Sequence, residues 1–153
     1  MDLVDLLLST EGRINRLRFW IGMLIVIFIS TALYYLILAT AGPTQTGVLL
    51  AVLVAFALAY PYYAIMAKRF QDRDKPGLLA LLGIVPYYTV NLLYTFRVFD
   101  PFEPTALSRI LDVIIALIAL WILVELGCLK GSAGPNRYGP DPLGQPKADS
   151  TLC

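Results

Sequence analysis

Lys68-Arg69-Phe70-Gln71-Asp72-Arg73-Asp74-Lys75-Pro76-Gly77 carries six charges in ten residues and lies between two apolar runs, Gly47 to Ala67 and Leu78 to Phe96. Each run is about the length a helix needs to cross a roughly 30 Å hydrocarbon core at about 1.5 Å per residue. A water-soluble fold has no use for two such runs joined by so compact a charged connection. The stretch reads as a loop at a membrane surface, and the flanking runs read as spans.

Two further runs extend the pattern. Phe19 to Ala41 holds 23 residues without a charge. Ala39-Thr40-Ala41 resembles a leader-cleavage site, but a signal peptide's apolar region is only about 7–15 residues, so this run is read as the first span. The uncharged turn Gly42-Pro43-Thr44-Gln45-Thr46 suits an antiparallel neighbour. Ile110 to Leu129 contains Glu125 but also 13 Leu, Ile and Val residues. Those contribute roughly −4 to −8 kcal/mol to insertion against about 2.5–3.5 kcal/mol for a mid-helix acid, so insertion wins.

The expected fold is therefore all-α, an integral membrane four-helix bundle. Its spans fall at about 19–41, 47–67, 78–96 and 110–129 within a single domain over 1–143. Asn15 is a candidate N-cap for the first span, and Asp112 is expected in the first turn of the fourth, where the macrodipole favours an anion. Asp100-Pro101 and Glu103-Pro104 are turn formers in the second polar loop, with Phe99 and Phe102 as interfacial anchors. Met1 to Gly12 sets Leu3, Val4, Leu6, Leu7 and Leu8 beside Asp2 and Asp5, which reads either as a short interfacial helix or as a frayed terminus. Lys130 to Pro142 is too rich in Gly and Pro for a helix and reads as a turn-rich C-terminal tail, and 144–153 reads as disordered.

Composition narrows the chemistry. The chain is 58% hydrophobic and 15% charged over 153 residues, against about a quarter charged in soluble domains. A net charge of +1 supplies no strong basic field, so no nucleic-acid partner is expected. The chain has no histidine, hence neither the commonest general base nor the commonest metal ligand. Cys128 and Cys153 lack the spacing of a zinc or redox pair, and a disulfide between them is disfavoured in a reducing cytoplasm. In Asp72-Arg73-Asp74 the interleaved cations weaken any divalent-cation site. Gly127-Cys128-Leu129-Lys130-Gly131-Ser132 lacks the order of a phosphate-binding loop, and its Gly127/Gly131 pair reads as permitting a turn. No metal and no cofactor are expected.

Charge placement sets the orientation. Ten of the twelve cations flank the N-terminus, the central loop and the segment after span four. The positive-inside rule makes that side cytoplasmic, with both termini on it.

Three constellations are candidate sites. The first is a cytoplasmic cap of Arg13, Arg16, Arg69, Asp72, Arg73, Glu125, Asn136 and Arg137, a candidate anion or lipid-headgroup site. Arg69 and Arg73 share a helix face and repel unless an anion lies between them. Glu125, about one turn inside the membrane, needs a cation, and Arg69, Arg13 and Arg16 are the reachable ones. Alternatively, Glu125 snorkels alone and the arginines bind lipid phosphates. The second constellation is Tyr62, Tyr63, Tyr87, Tyr88 and Asn91 beside Pro61 and Pro86, read as an aromatic belt or as a pocket between kinked helices. The third is the stripe Gly47, Ala51, Ala55 and Ala59, whose small residues mark a packing face inside one bundle or a homodimer seam.

Gly12-Arg13-Ile14-Asn15-Arg16 with Phe19-Trp20, the central charged stretch, and Gly134-Pro135-Asn136-Arg137-Tyr138-Gly139-Pro140-Asp141-Pro142 follow one another in order. In this the chain resembles the YhaH-like family of small bacterial inner-membrane proteins, domain of unknown function 805, from Gly12 to Leu143. The resemblance implies an inner-membrane helical protein and supplies no activity, substrate or catalytic residues. Gln71 departs from the family pattern, which often has a histidine there, so no proton-transfer role carries over to it.

The functional expectation is a non-enzymatic, multi-pass inner-membrane scaffold whose cap binds a membrane-protein partner or anionic headgroups. The alternatives are an oligomeric permease or channel component and, third, a lipid-headgroup enzyme using Asp72, Asp74 and Glu125. A reporter that is active only outside the cytoplasm, fused after Cys153, is expected to be silent, and activity there would invert the topology.

Overall fold

The computed structural model describes residues 2–144. The predicted tail therefore lies, after Gly144, outside the described residues, as does Cys153. Five helices follow one another: α1 (Leu3–Leu8), α2 (Arg16–Ala41), α3 (Gln45–Asp72), α4 (Leu81–Thr95, entered through a 3₁₀ turn at Gly77–Ala80) and α5 (Ala106–Ile122). A π-helical turn, Leu123–Cys128, prolongs α5. No strand occurs among the described residues. Four of these helical segments are long and apolar enough to cross a membrane, so the chain is an all-α, multi-pass membrane protein.

Local chemistry starts and stops each element. Asn15 Oδ1 accepts from the Arg18 backbone N–H at 2.9 Å and caps α2. Thr44 and Thr105 cap α3 and α5 in the same way, each accepting from the N–H three residues on at 3.2 Å. Gly42, at φ +61°, ends α2, and its carbonyl lies only 2.3 Å from where a Cβ on Gly47 would stand. The turn between α2 and α3 thus needs glycine at Gly47. That residue belongs to the small-residue stripe, and the rest of the stripe faces inward: Ala51 and Ala55 line a central cleft, and Ala59 lines a smaller gap against Val85 and Tyr88 on α4.

Two expectations shift. α5 begins at Ala106, four residues before the apolar run, because Thr105 supplies the cap. Asp112 consequently lies in the second turn rather than the first, and it accepts from the Tyr94 hydroxyl at 2.7 Å instead of serving the helix terminus. α3 runs five residues past Ala67 to Asp72, because the charged side chains of that last turn have buried partners.

The buried core lies at the end of the bundle that carries the charged loop. Leu6, Ile14, Phe19, Ile65, Phe70 and Leu126 form its centre. α1 packs on α3 there, and α2 meets α5 chiefly through the π-helical turn. Toward the opposite end the apolar side chains face outward, as a lipid solvent allows. The helices are gathered at one end and open at the other.

Gly127 is where α2 and α5 touch. A Cβ there would stand 2.6 Å from Trp20 Cζ2, an atom of a rigid ring. Gly127→Val is expected to destabilise the folded protein by about 1–3 kcal/mol, measured by reversible unfolding in lipid–detergent micelles.

Candidate functional site: an arginine-laced cap

The charged end of the bundle is built around one carboxylate. Asp72, the last residue of α3, is 2% exposed. Its Oδ1 accepts from Arg13 Nε at 3.1 Å, and its Oδ2 is ion-paired with Arg69 Nη1 one turn back on the same helix. Both guanidiniums are themselves buried. Two cations against one anion leave donors over, and backbone carbonyls take them. Arg13 donates to the carbonyls of Gly134 at 2.6 Å and Ser132 at 2.7 Å. Arg69 donates to Leu126 O at 2.7 Å, Leu129 O at 2.6 Å and Ile14 O at 3.3 Å.

The acceptors on α5 have a common origin. A helix leaves its last four carbonyls without intrahelical partners, and a π-helical turn shifts the ladder further, here with Leu129 N bonded to Val124 O five residues back. Arg69 takes Leu126 O and Leu129 O, Arg16 takes Cys128 O at 3.1 Å, and Arg73 takes Lys130 O at 2.8 Å. The Trp20 indole N–H approaches Gly127 O at 3.4 Å. Cations at a helix C-terminus also answer its partial negative charge.

Glu125 sits in that turn and is held by Arg73 Nε at 2.7 Å and by the Lys75 ammonium. It is not held by Arg69, Arg13 or Arg16, the partners expected from sequence. Asp72, one turn from Arg69, already claims the first two, and Arg16 reaches only a carbonyl. The anion expected between Arg69 and Arg73 is likewise two anions, Asp72 for one and Glu125 for the other.

The C-terminal segment closes over this arrangement. The Ser132 N–H and hydroxyl donate to Asp72 O at 2.8 and 3.0 Å. Asn136 Nδ2 donates to Gln71 O at 2.9 Å and to the Ser132 hydroxyl at 3.0 Å. Arg137 lies outside, pairing with Asp74 Oδ1 at 3.2 Å and stacking over Tyr138. Backbone N–H groups of Leu143 and Gly134 hold the Asp141 carboxyl below the usual carboxylate range. That stabilisation is present above the ordinary carboxylate pKa and is lost as pH falls through the depressed one.

Sequence reasoning missed Lys68, Lys75, Ser132 and Gly131. Lys68 is fully buried, and its ammonium caps the end of α1 by donating to the Asp5 and Leu6 carbonyls. The Ser9 N–H at the end of α1 reaches only the Asp5 carbonyl, at 3.2 Å, and Lys68 supplies the donor for Leu6. A Cβ on Gly131 would stand 2.0 Å from Asp72 Oδ2, so this glycine serves close approach to the carboxylate.

The tyrosine constellation divides. Tyr62, Tyr87, Tyr88 and Asn91 line the central cleft, whereas Tyr63 packs beside the buried core. Three of their polar groups have protein partners: Tyr62 OH with Ser30 Oγ at 3.4 Å, Tyr88 OH with Ala55 O at 3.0 Å, and Asn91 Nδ2 with Tyr87 O at 2.8 Å.

These features can be set beside known proteins. The family described as "Protein of unknown function (DUF805)" matches residues 7–140, a range that contains the whole cap from Arg13 to Gly139. The chain belongs to the DUF805 family. Within reach of this DUF805 chain are "Uncharacterized protein YiiR" of Escherichia coli K12, 28% identical over 92% of this chain and 90% of the relative, and "Inner membrane protein YhaH" of the same strain, 23% identical over 89% of this chain and 88% of the relative. No solved structure gives a significant match. With its four apolar helices and such relatives, this DUF805 member is a multi-pass protein of the bacterial inner membrane.

Removing one member of a buried ion pair strands the other charges. Asp72→Asn is expected to cost about 3–5 kcal/mol, whereas Asp74→Asn, at an exposed pair, should cost less than about 1 kcal/mol. Unfolding of the two purified variants in the same micelle compares them directly.

Proposed function

We propose that this protein is a non-enzymatic membrane scaffold whose cap binds anionic lipid headgroups at the cytoplasmic face. The observation that carries the reading is how the cap divides its charges. Arg13 and Arg69 are buried and bonded within the protein, so they serve as framework. Arg16, Arg18 and Lys130 are exposed and have no carboxylate partner among the described residues, while Arg73 and Lys75 share the single Glu125. The rim so formed has excess positive charge and lies beside exposed Trp20, Trp121 and Leu129. Aromatic and leucyl side chains at headgroup depth beside unneutralised cations suit a phosphate-bearing lipid surface. The cytoplasmic assignment rests on the distribution of cations along the chain, with both termini on that side.

Partner binding at the same rim, and self-association, stand as alternatives. The permease reading would rest on the central cleft, but the wall there is mostly apolar and aromatic, and the Tyr62 and Tyr88 hydroxyls are engaged within the protein. That favours hydrocarbon over a hydrophilic solute.

The test is titration of nanodiscs or mixed micelles with phosphatidylglycerol against phosphatidylcholine, followed by thermal unfolding. Phosphatidylglycerol should stabilise the protein, and added salt should weaken the effect. The double variant Arg16→Gln, Lys130→Gln should lose about 2 kcal/mol of binding, roughly a 30-fold weakening at about 1 kcal/mol per rim cation. Equal stabilisation by both lipids would remove the reading.

A further inference from the structure

From the cap-end core to the far loops the helices enclose an open cleft of about 1050 Å³. It is lined by α2, α3, α4 and α5, from Trp20 and Met66 near the core to Arg97 and Phe102 at the far mouth. Along α2 its lining runs from Trp20 to Ile37, about 26 Å at about 1.5 Å per residue. The cleft thus reaches through most of a hydrocarbon core of roughly 30 Å. Interiors of packed proteins keep few voids larger than a water molecule. An apolar cleft of this size that opens within a bilayer is filled by hydrocarbon, not by water.

Among the residues lining the cleft, Arg97 alone is charged. It comes just after Phe96, the C-cap of α4, in the left-handed conformation at φ +57°, which turns the chain out of the helix at the mouth. Its guanidinium makes no hydrogen bond or ion pair among the described residues. Two carboxylates lie in the same loop, but Asp100 accepts from the Phe102 N–H at 2.8 Å, and neither Asp100 nor Glu103 pairs with Arg97. Nearby Asp112 is engaged by Tyr94. The cleft is a long apolar trough with one uncommitted cation at its opening.

We infer that the cleft is a phospholipid site, with acyl chain in the trough and phosphate on Arg97, in the leaflet opposite the cap. In lipid an acyl chain gains little by exchanging one hydrocarbon surrounding for another. Retention of a particular molecule therefore depends on the charge-assisted contact at Arg97 and on the fit of the trough. The phosphate position at Arg97 is at the other end of the molecule from the headgroup rim, and the inference stands independently of that rim.

The probe is phospholipid that survives delipidation, counted by native mass spectrometry of protein extracted from bacterial membranes. The wild-type chain should keep one phospholipid at detergent concentrations that strip the annular shell. Ala119→Trp, which fills the trough from α5, should lower that occupancy at least about tenfold. Ala116→Trp, exposed on α5 outside the cleft, should leave it unchanged and controls for folding. Arg97→Gln should lower occupancy about three- to tenfold, and Arg97→Lys should largely restore it. Arg97 is exposed in a loop, so its variants test the idea even if the tryptophan variants misfold. A wild-type chain that emerges free of lipid, or occupancy indifferent to both Arg97→Gln and Ala119→Trp, would overturn the inference. Retention of lipids without phosphate in place of phospholipid would overturn it as well.

Discussion

The structure depends on one desolvated carboxylate. Asp72 ends the second span at the membrane surface and neutralises guanidiniums from two directions, Arg69 on its own helix and Arg13 from the segment before the first span. Buried ions are costly, and an arrangement with more cations than anions tolerates burial only when the remaining donors find acceptors. The acceptors come from the end of α5, where the π-helical turn turns unpaired carbonyls toward Arg69, Arg16 and Arg73. A helix terminus that lacks donors and a cluster of arginines that lacks acceptors satisfy each other.

This mutual satisfaction explains why α1, the spans and the C-terminal segment converge at one end. In hydrocarbon, apolar surface alone gives helices little reason to associate. Polar groups excluded from lipid do give such a reason, and in this chain they are concentrated at the cap. Away from it fewer side chains are buried and the cleft opens. Rigidity and openness follow from the same uneven placement of polar residues along the spans.

Much of the fold was legible from the sequence, because four long apolar runs admit few other readings. The charged residues that would gather were also legible as a set, since Arg13, Arg69, Asp72 and Glu125 are too expensive near lipid to be left alone. Their pairing was not. Whether Glu125 meets Arg69 or Arg73 depends on the helical phase at the ends of α3 and α5, and a π-helical turn alters that phase without leaving a mark in composition. Lys68 was hidden for a related reason: α3 continues past its apolar run, so a lysine that reads as part of a surface loop is in fact buried against α1. The family resemblance located the three motifs and left their chemistry open.

The three motifs are far apart in the chain, and this has a consequence for biosynthesis. Arg69 meets Asp72 as soon as that turn of helix forms, within a single emerging segment. Arg13 is translated early yet needs the carbonyls of Ser132 and Gly134, which come more than a hundred residues later. From the synthesis of the first span until the last segment leaves the ribosome, this guanidinium must be sheltered by water, lipid phosphate or the insertion machinery. The cap is thus completed last, and a chain truncated before Ser132 would hold an arginine paired with Asp72 but lacking the carbonyls that satisfy its remaining donors.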